Sequence, residues 1–252
     1  MSRTLYTAVL LFAVGSASAT TITIQSGSSI ADAVAKQDAW ILANMGTNWN
    51  AQIMEGFEGY TANNQSGYTS LNTAVGTFSL APGSQPGDPL RSNGNKANQF
   101  TILDASDTPF SGRYNTTPGG QNWLDSNDIT ALQLTTSLDM LVFLITDVND
   151  CAGVLTIQTA DGTTSSAFAQ YPTAKDGNIY SVIITSSSPI GTVRWLNNSN
   201  DDGFGLDAFG TIVDPPPPGT PTAPTPEPAS VAVSGLGLAA IAAFRKFRAA
   251  RS

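Results

Sequence analysis

Histidine is absent from all 252 residues. Its absence excludes Ser-His-Asp and Cys-His nucleophile systems, histidine zinc sites and imidazole acid–base chemistry. Cysteine occurs once, as Cys151, so no disulfide forms within the chain. It stands beside an apolar stretch, and a buried, inert thiol is the expectation. Charge is sparse, at 12% of residues, and glutamate is confined to Glu55, Glu58 and Glu227. Glycoside hydrolysis needs two carboxylates about 5–10 Å apart across a sugar. Glu55 and Glu58 are three apart on an expected strand and point to opposite faces, so neither serves the other, although one of them could pair with a distant aspartate. No phosphate loop, dinucleotide fingerprint or cysteine metal knuckle occurs.

Basic residues are scarce where the acids are. All 19 Asp and Glu lie between Asp32 and Glu227, a stretch with only six Lys and Arg. Nucleic acid and anionic lipid would be repelled by such a body, so neither is expected as its partner. The same acidity also serves to keep an extracellular protein soluble. What is plentiful is Gly, Ser, Thr and Asn, a composition suited to a turn-rich β domain.

The two ends read as processing segments. Arg3, the apolar run from Leu5 to Val14, and Ala17-Ser18-Ala19 make a secretory signal (residues 1–19) with cleavage expected after Ala19. At the other end, residues 214–225 are a Pro-rich, extended linker. Pro226-Glu227-Pro228 follows, then an apolar span at 229–247, then a basic end holding Arg245, Lys246, Arg248 and Arg251. By the positive-inside rule the basic end stays cytoplasmic and the domain faces outward.

This order, with Ala229-Ser230-Val231-Ala232-Val233 and the Gly-Leu-Gly-Leu run at 235–238, resembles the bacterial PEP-CTERM sorting signal. The resemblance covers residues 226–252. It implies an exosortase substrate that is exported, anchored in the inner membrane as a precursor, and then moved to the cell surface or outside. Signal peptidase and exosortase would process it, and the cytoplasmic membrane would hold it through the C-terminal helix. Extracellular polysaccharide is the ligand class that such a setting suggests.

Between the ends, about 195 residues are enough for one domain with a true core. Residues 20–50 are expected as a helical segment, capped by Ser28 or Ser29 and stopped at Gly46. From 51 to 213 the pattern turns to short strands: 52–58, 76–80, 99–103, 130–135, 138–146, 153–159, 179–185, 190–196 and 209–213. Arg113-Tyr114-Asn115 would lead into a further strand. The fold class expected is mainly β, an antiparallel β-sandwich with one N-terminal helix, a Pro-rich linker and a C-terminal transmembrane helix. The order also resembles a jelly-roll domain common in PEP-CTERM proteins. That likeness rests on Phe57-Glu58-Gly59 in the first strand, on Phe143 to Asp150, and on Asp202 to Asp207 before the last strand.

Three sets of residues are candidates for chemistry. A structural calcium site would draw on Glu58, Asp147, Asp150, Asp202 and Asp207, because Ca²⁺ takes six to eight oxygens from Asp- and Asn-rich loops. Residues 198–209 mimic part of an EF-hand loop but end in Phe209 where the bidentate Glu belongs, so an EF-hand is rejected. The competing reading is that these acids shape turns through hydrogen bonds to the backbone. Tyr114 and Trp123 are the candidate sugar-stacking pair, against the commoner fate of core aromatics. The function expected is that of a non-enzymatic surface or matrix protein. The alternatives are a carbohydrate-active hydrolase using Asp or Glu, and a calcium-stabilised domain with no ligand.

Overall fold

This computed structural model describes residues 19–214 except 63–66, 93, 107 and 109. The signal region with Ala17, the linker beyond Asp214, the sorting tail with Pro226, Glu227 and Pro228, and the span at 229–247 lie outside the described residues. Among the described residues, no helix is long and apolar enough to cross a membrane.

Residues 20–50, expected as a helical segment capped at Ser28 or Ser29, hold a strand ahead of that helix. Thr20–Gly27 is a strand, β1, whose Ile22 and Ile24 alternate with Thr and Gln and pack on the core. Helix α1 (Ile30–Met45) follows. Ser29 caps it: its backbone is extended and its hydroxyl accepts from the Asp32 amide at 3.2 Å. Asp32 in turn accepts from the Ser28 amide at 2.8 Å and pairs with Lys36 one turn on, at 3.0 Å. Gly46, at φ 104, ends the helix with its N–H on the Leu42 carbonyl. Gly27 lets strand and helix approach closely, since a Cβ there would stand 2.7 Å from that of Ala33.

Twelve further strands build two antiparallel sheets. They are β2 (Asn50–Glu55), β3 (Ser70–Thr73), β4 (Gly76–Leu80), β5 (Thr101–Leu103), β6 (Trp123–Asp125), β7 (Ala131–Thr136), β8 (Met140–Thr146), β9 (Leu155–Thr159), β10 (Thr164–Ser165), β11 (Ile179–Ser186), β12 (Gly191–Asn197) and β13 (Gly205–Val213). The first sheet runs β1-β11-β8-β13-β6-β5, and the far end of β13 also pairs with β2. The second runs β10-β9-β12-β7-β4-β3. Asp161-Gly162 makes the tight β9–β10 hairpin, with Thr159 Oγ1 donating to Asp161 at 2.7 Å.

The sheets pack face to face through aromatic rings. Phe209 of β13 stacks on Phe143 of β8 at 4.8 Å and meets Phe78 of β4 edge-on at 5.2 Å. Phe143 meets Trp195 of β12 at 5.5 Å. The outer face of the first sheet is covered too. Ala33 of α1 packs with Leu144, Ile179 and Ala208, and Ile41 with Val142, Ile183 and Ile212. This explains the unbroken apolar run in β8. Leu141, Phe143 and Ile145 fill the sandwich while Val142 and Leu144 meet the helix, so neither face is left to water.

Three local expectations need correcting. Phe57, Glu58 and Gly59 are not in the first strand. The strand stops at Glu55, whose carboxylate accepts from the Phe57 amide at 2.8 Å and the Ala74 amide at 3.1 Å, and Phe57 turns to φ 61. The last strand starts at Gly205, so Asp207 lies within it rather than before it. Arg113, Tyr114 and Asn115 belong to no strand, because Arg113 is tied into a buried ion cluster instead.

Candidate functional site

At one end of the first sheet, the loop carrying Arg113 crosses the end of β6 and the turns after β6 and β8. Arg113 is buried and meets three carboxylates: Asp128 at 2.6 Å, Asp125 at 3.2 Å and Asp147 at 3.3 Å. The Phe110 ring covers the guanidinium, 4.0 Å from its carbon. Burial works against the charge of Arg113, but the three acids outweigh it and hold its pKa above the ordinary value. One cation cannot balance three anions in a dry site. Burial accordingly raises Asp125 and Asp128 above the usual carboxylate range, with Arg113 opposing. Asp147 is pushed up to about 7, mainly by burial, although the Gly177 amide and Arg113 both pull it down.

Beside this cluster lies a cleft of about 470 Å³, walled by Phe110, Arg113, Asp128, Asp147, Asp150 and Asp176. Carboxylate oxygens of Asp147, Asp150 and Asp176 lie within 4.8 Å of one another. So do an oxygen of Asp150, one of Asp202 and the Cys151 sulfur. Asp150 belongs to both triads. Gly112, at φ 79, allows Asp147 and Asp176 to come this close, since a Cβ there would collide with an oxygen of each. Asp202 is 2% exposed, and neither of its oxygens receives a hydrogen bond of normal geometry. Burial and then the Asp150 charge push it up to about 7, against the pull of Arg113 and the Cys151 amide.

The sequence-predicted residues separate into two groups. Asp147, Asp150 and Asp202 come together, and Asp176 joins them. Glu58 and Asp207 do not: both grip the loop 115–122. Asp207 is 1% exposed and accepts from the Thr116 amide at 2.6 Å, the Thr117 amide at 2.8 Å and the Thr117 hydroxyl at 2.8 Å. Glu58 accepts from the amides of Gln121 at 2.7 Å and Asn122 at 2.8 Å. Both acids thus bond to backbone amides, the arrangement of the turn-shaping alternative. Cys151 is exposed rather than buried. Partial desolvation, Asp150 and Asp202 push its thiol up to about 11, so it is a poor nucleophile.

Tyr114 and Trp123 share the wall of a second cavity, of about 430 Å³. They are not an exposed stacking pair. Trp123 is 1% exposed inside β6, and half-buried Tyr114 donates its hydroxyl to the Gly177 carbonyl at 3.2 Å. Sequence reasoning missed Arg113 as a hub, together with Asp125, Asp128 and Asp176. The one available signal was an arginine set in a body with so few cations.

Residues 224–248 match a family description, the PEP-CTERM protein-sorting motif. The chain carries a PEP-CTERM sorting tail. No curated protein matches the chain. The PEP-CTERM motif implies an exported precursor that passes the membrane and is processed by an exosortase. Its matched span includes Pro226, Glu227 and Pro228, the apolar run and the first three bases of the end.

Proposed function

We propose that the chain is a non-enzymatic surface or matrix protein: a jelly-roll-like β-sandwich cleaved from a signal at Ala19, displayed on a Pro-rich stalk, and released at its PEP motif to work by binding or structural contact in an exopolysaccharide matrix. The sorting motif at 224–248 carries this reading. Support comes from the absence of histidine and from the engagement of Glu58 and Asp207 with backbone amides.

The hydrolase alternative draws on one observation, an Asp147 raised to about 7 beside other carboxylates in a cleft. Asp147 is 3% exposed, however, and its two oxygens already accept from the Gly177 amide and Arg113, which weighs against a role as general acid. A glycan hydrolysis screen that finds turnover lost on Asp147→Asn would establish the alternative.

The main test compares the native chain with a variant carrying Ala at 226, 227 and 228 in its own host. Wild type is expected at the surface or in the medium with its mass cut near residue 228. The variant is expected whole in the inner membrane. If both keep the tail in the inner membrane, the tail is a plain anchor and the matrix reading falls.

A further inference from the structure

The acidic cleft holds more negative charge than the folded protein neutralises. Arg113 is committed to Asp125, Asp128 and Asp147. Arg91, at the rim, is committed to Asp201 at 2.5 Å. That leaves Asp150 beside Asp176 in one triad and beside Asp202 in the other, and none of these three forms an ion pair with a cation among the described residues. An acidic surface patch alone would be unremarked, since exposed carboxylates are hydrated and screened. Asp202 is different. It is 2% exposed, both oxygens are cut off from solvent, and no donor reaches either one at normal hydrogen-bond geometry. A carboxylate buried without donors is retained in a fold when something else meets its oxygens. Its neighbours are Asp150, whose carboxylate is shared with the second triad, and the Cys151 sulfur.

We propose that this end of the cleft is a calcium site, with Asp150 as the shared ligand, Asp202 as the buried one, and Asp176 and Asp147 completing the acidic wall. The donors are chiefly carboxylate oxygens, which suit a hard divalent cation. Histidine does not occur in the chain, and the two triads hold four carboxylates against a single thiol, so the set does not suit a soft metal. Water and backbone carbonyls make up the remaining positions, as is usual for calcium in extracellular loops. The turn after β8 and the loop before β13 are thereby tied together through Asp150 and Asp202, and Asp176 ties in the loop before β11. The Glu58–Asp207 pair has no part in it.

The test is thermal unfolding of the full-length chain in mild detergent, after chelator treatment and after adding CaCl2, MgCl2 or ZnCl2. Terbium luminescence serves as a direct probe of binding. Calcium at about 100 times its Kd is expected to raise the Tm by about 5–10 °C. Asp150→Asn and Asp202→Asn are expected to abolish that shift and the terbium signal, while Asp38→Asn, on the exposed side of α1, leaves both intact. Should Asp202→Asn not fold, Asp150→Asn, at a less buried position, carries the comparison. Two results overturn the proposal. An unchanged Tm with about 10 mM calcium, well above the Kd of extracellular calcium modules, together with no terbium signal means that no metal binds between Asp150 and Asp202. A shift seen with zinc alone, and lost on Cys151→Ser, means a soft-metal site.

Discussion

Arg113 is the residue on which the acidic end of the sandwich depends. Its guanidinium presents a planar fork of donors, and three aspartates at 2.6, 3.2 and 3.3 Å use three different nitrogens of it. Removing one partner from a buried ion cluster costs far more than the cluster contributes net, because the charges left behind are uncompensated. Arg113→Ala is therefore expected to destabilise the domain by about 3–5 kcal/mol in urea unfolding. Arg113→Lys should recover only a minor part, since one ammonium cannot reach three acids in a fork geometry. A lysine variant as stable as wild type would show that charge alone, not geometry, holds the cluster. The partners of Arg113 lie 12, 15 and 34 residues away in sequence, and nothing local announces them.

Among the elements, α1 and β8 were the most legible, and some of the shortest strands, β3 and β6, the least. Helix α1 has a cap, a first-turn acid and a glycine stop, all local signals read directly from residue types. Strand β8 is seven residues of nearly unbroken apolar sequence because both of its faces are covered. By contrast β3 and β6, of four and three residues, are too short to show a period. β1 does alternate, but it was absorbed into the helical segment that follows. The packing of α1 on the sheet supplies a prediction at this scale. Ile41 is 1% exposed and fills the space between the helix and Val142, Ile183 and Ile212. Ile41→Ala should cost about 2–5 kcal/mol by lost burial and a residual cavity. A change below about 1 kcal/mol, within the range of a tolerated surface substitution, would mean that α1 is not docked as described.

At the scale of the whole molecule, both sheets, α1 and the aromatic core lie between residues 19 and 214. The sorting motif lies entirely beyond them. A chain ended after Asp214 is accordingly expected to keep its β-rich circular dichroism and a single cooperative unfolding transition. Loss of cooperativity in that truncation would show that residues 215–252 contribute to the fold. The charge distribution fits this division. The body is acidic with few bases, while four of the eleven Lys and Arg fall in the last eight residues, at the basic end of the sorting tail.

What the sequence determined by itself is the sorting signal. A sorting signal acts as an ordered linear string (PEP, apolar run, basic end) read by processing machinery and membrane, so no folding is needed to recognise it. The mainly β class was also readable, because strand periodicity and turn residues are local. Which acids stand together was not. Asp150 meets Asp202, and Asp207 meets Thr116 and Thr117, only because antiparallel pairing of β8, β13 and β6 brings distant turns to one end of a sheet. Burial, and with it the charge imbalance around Arg113 and Asp202, is a property of that packing and of no residue taken alone.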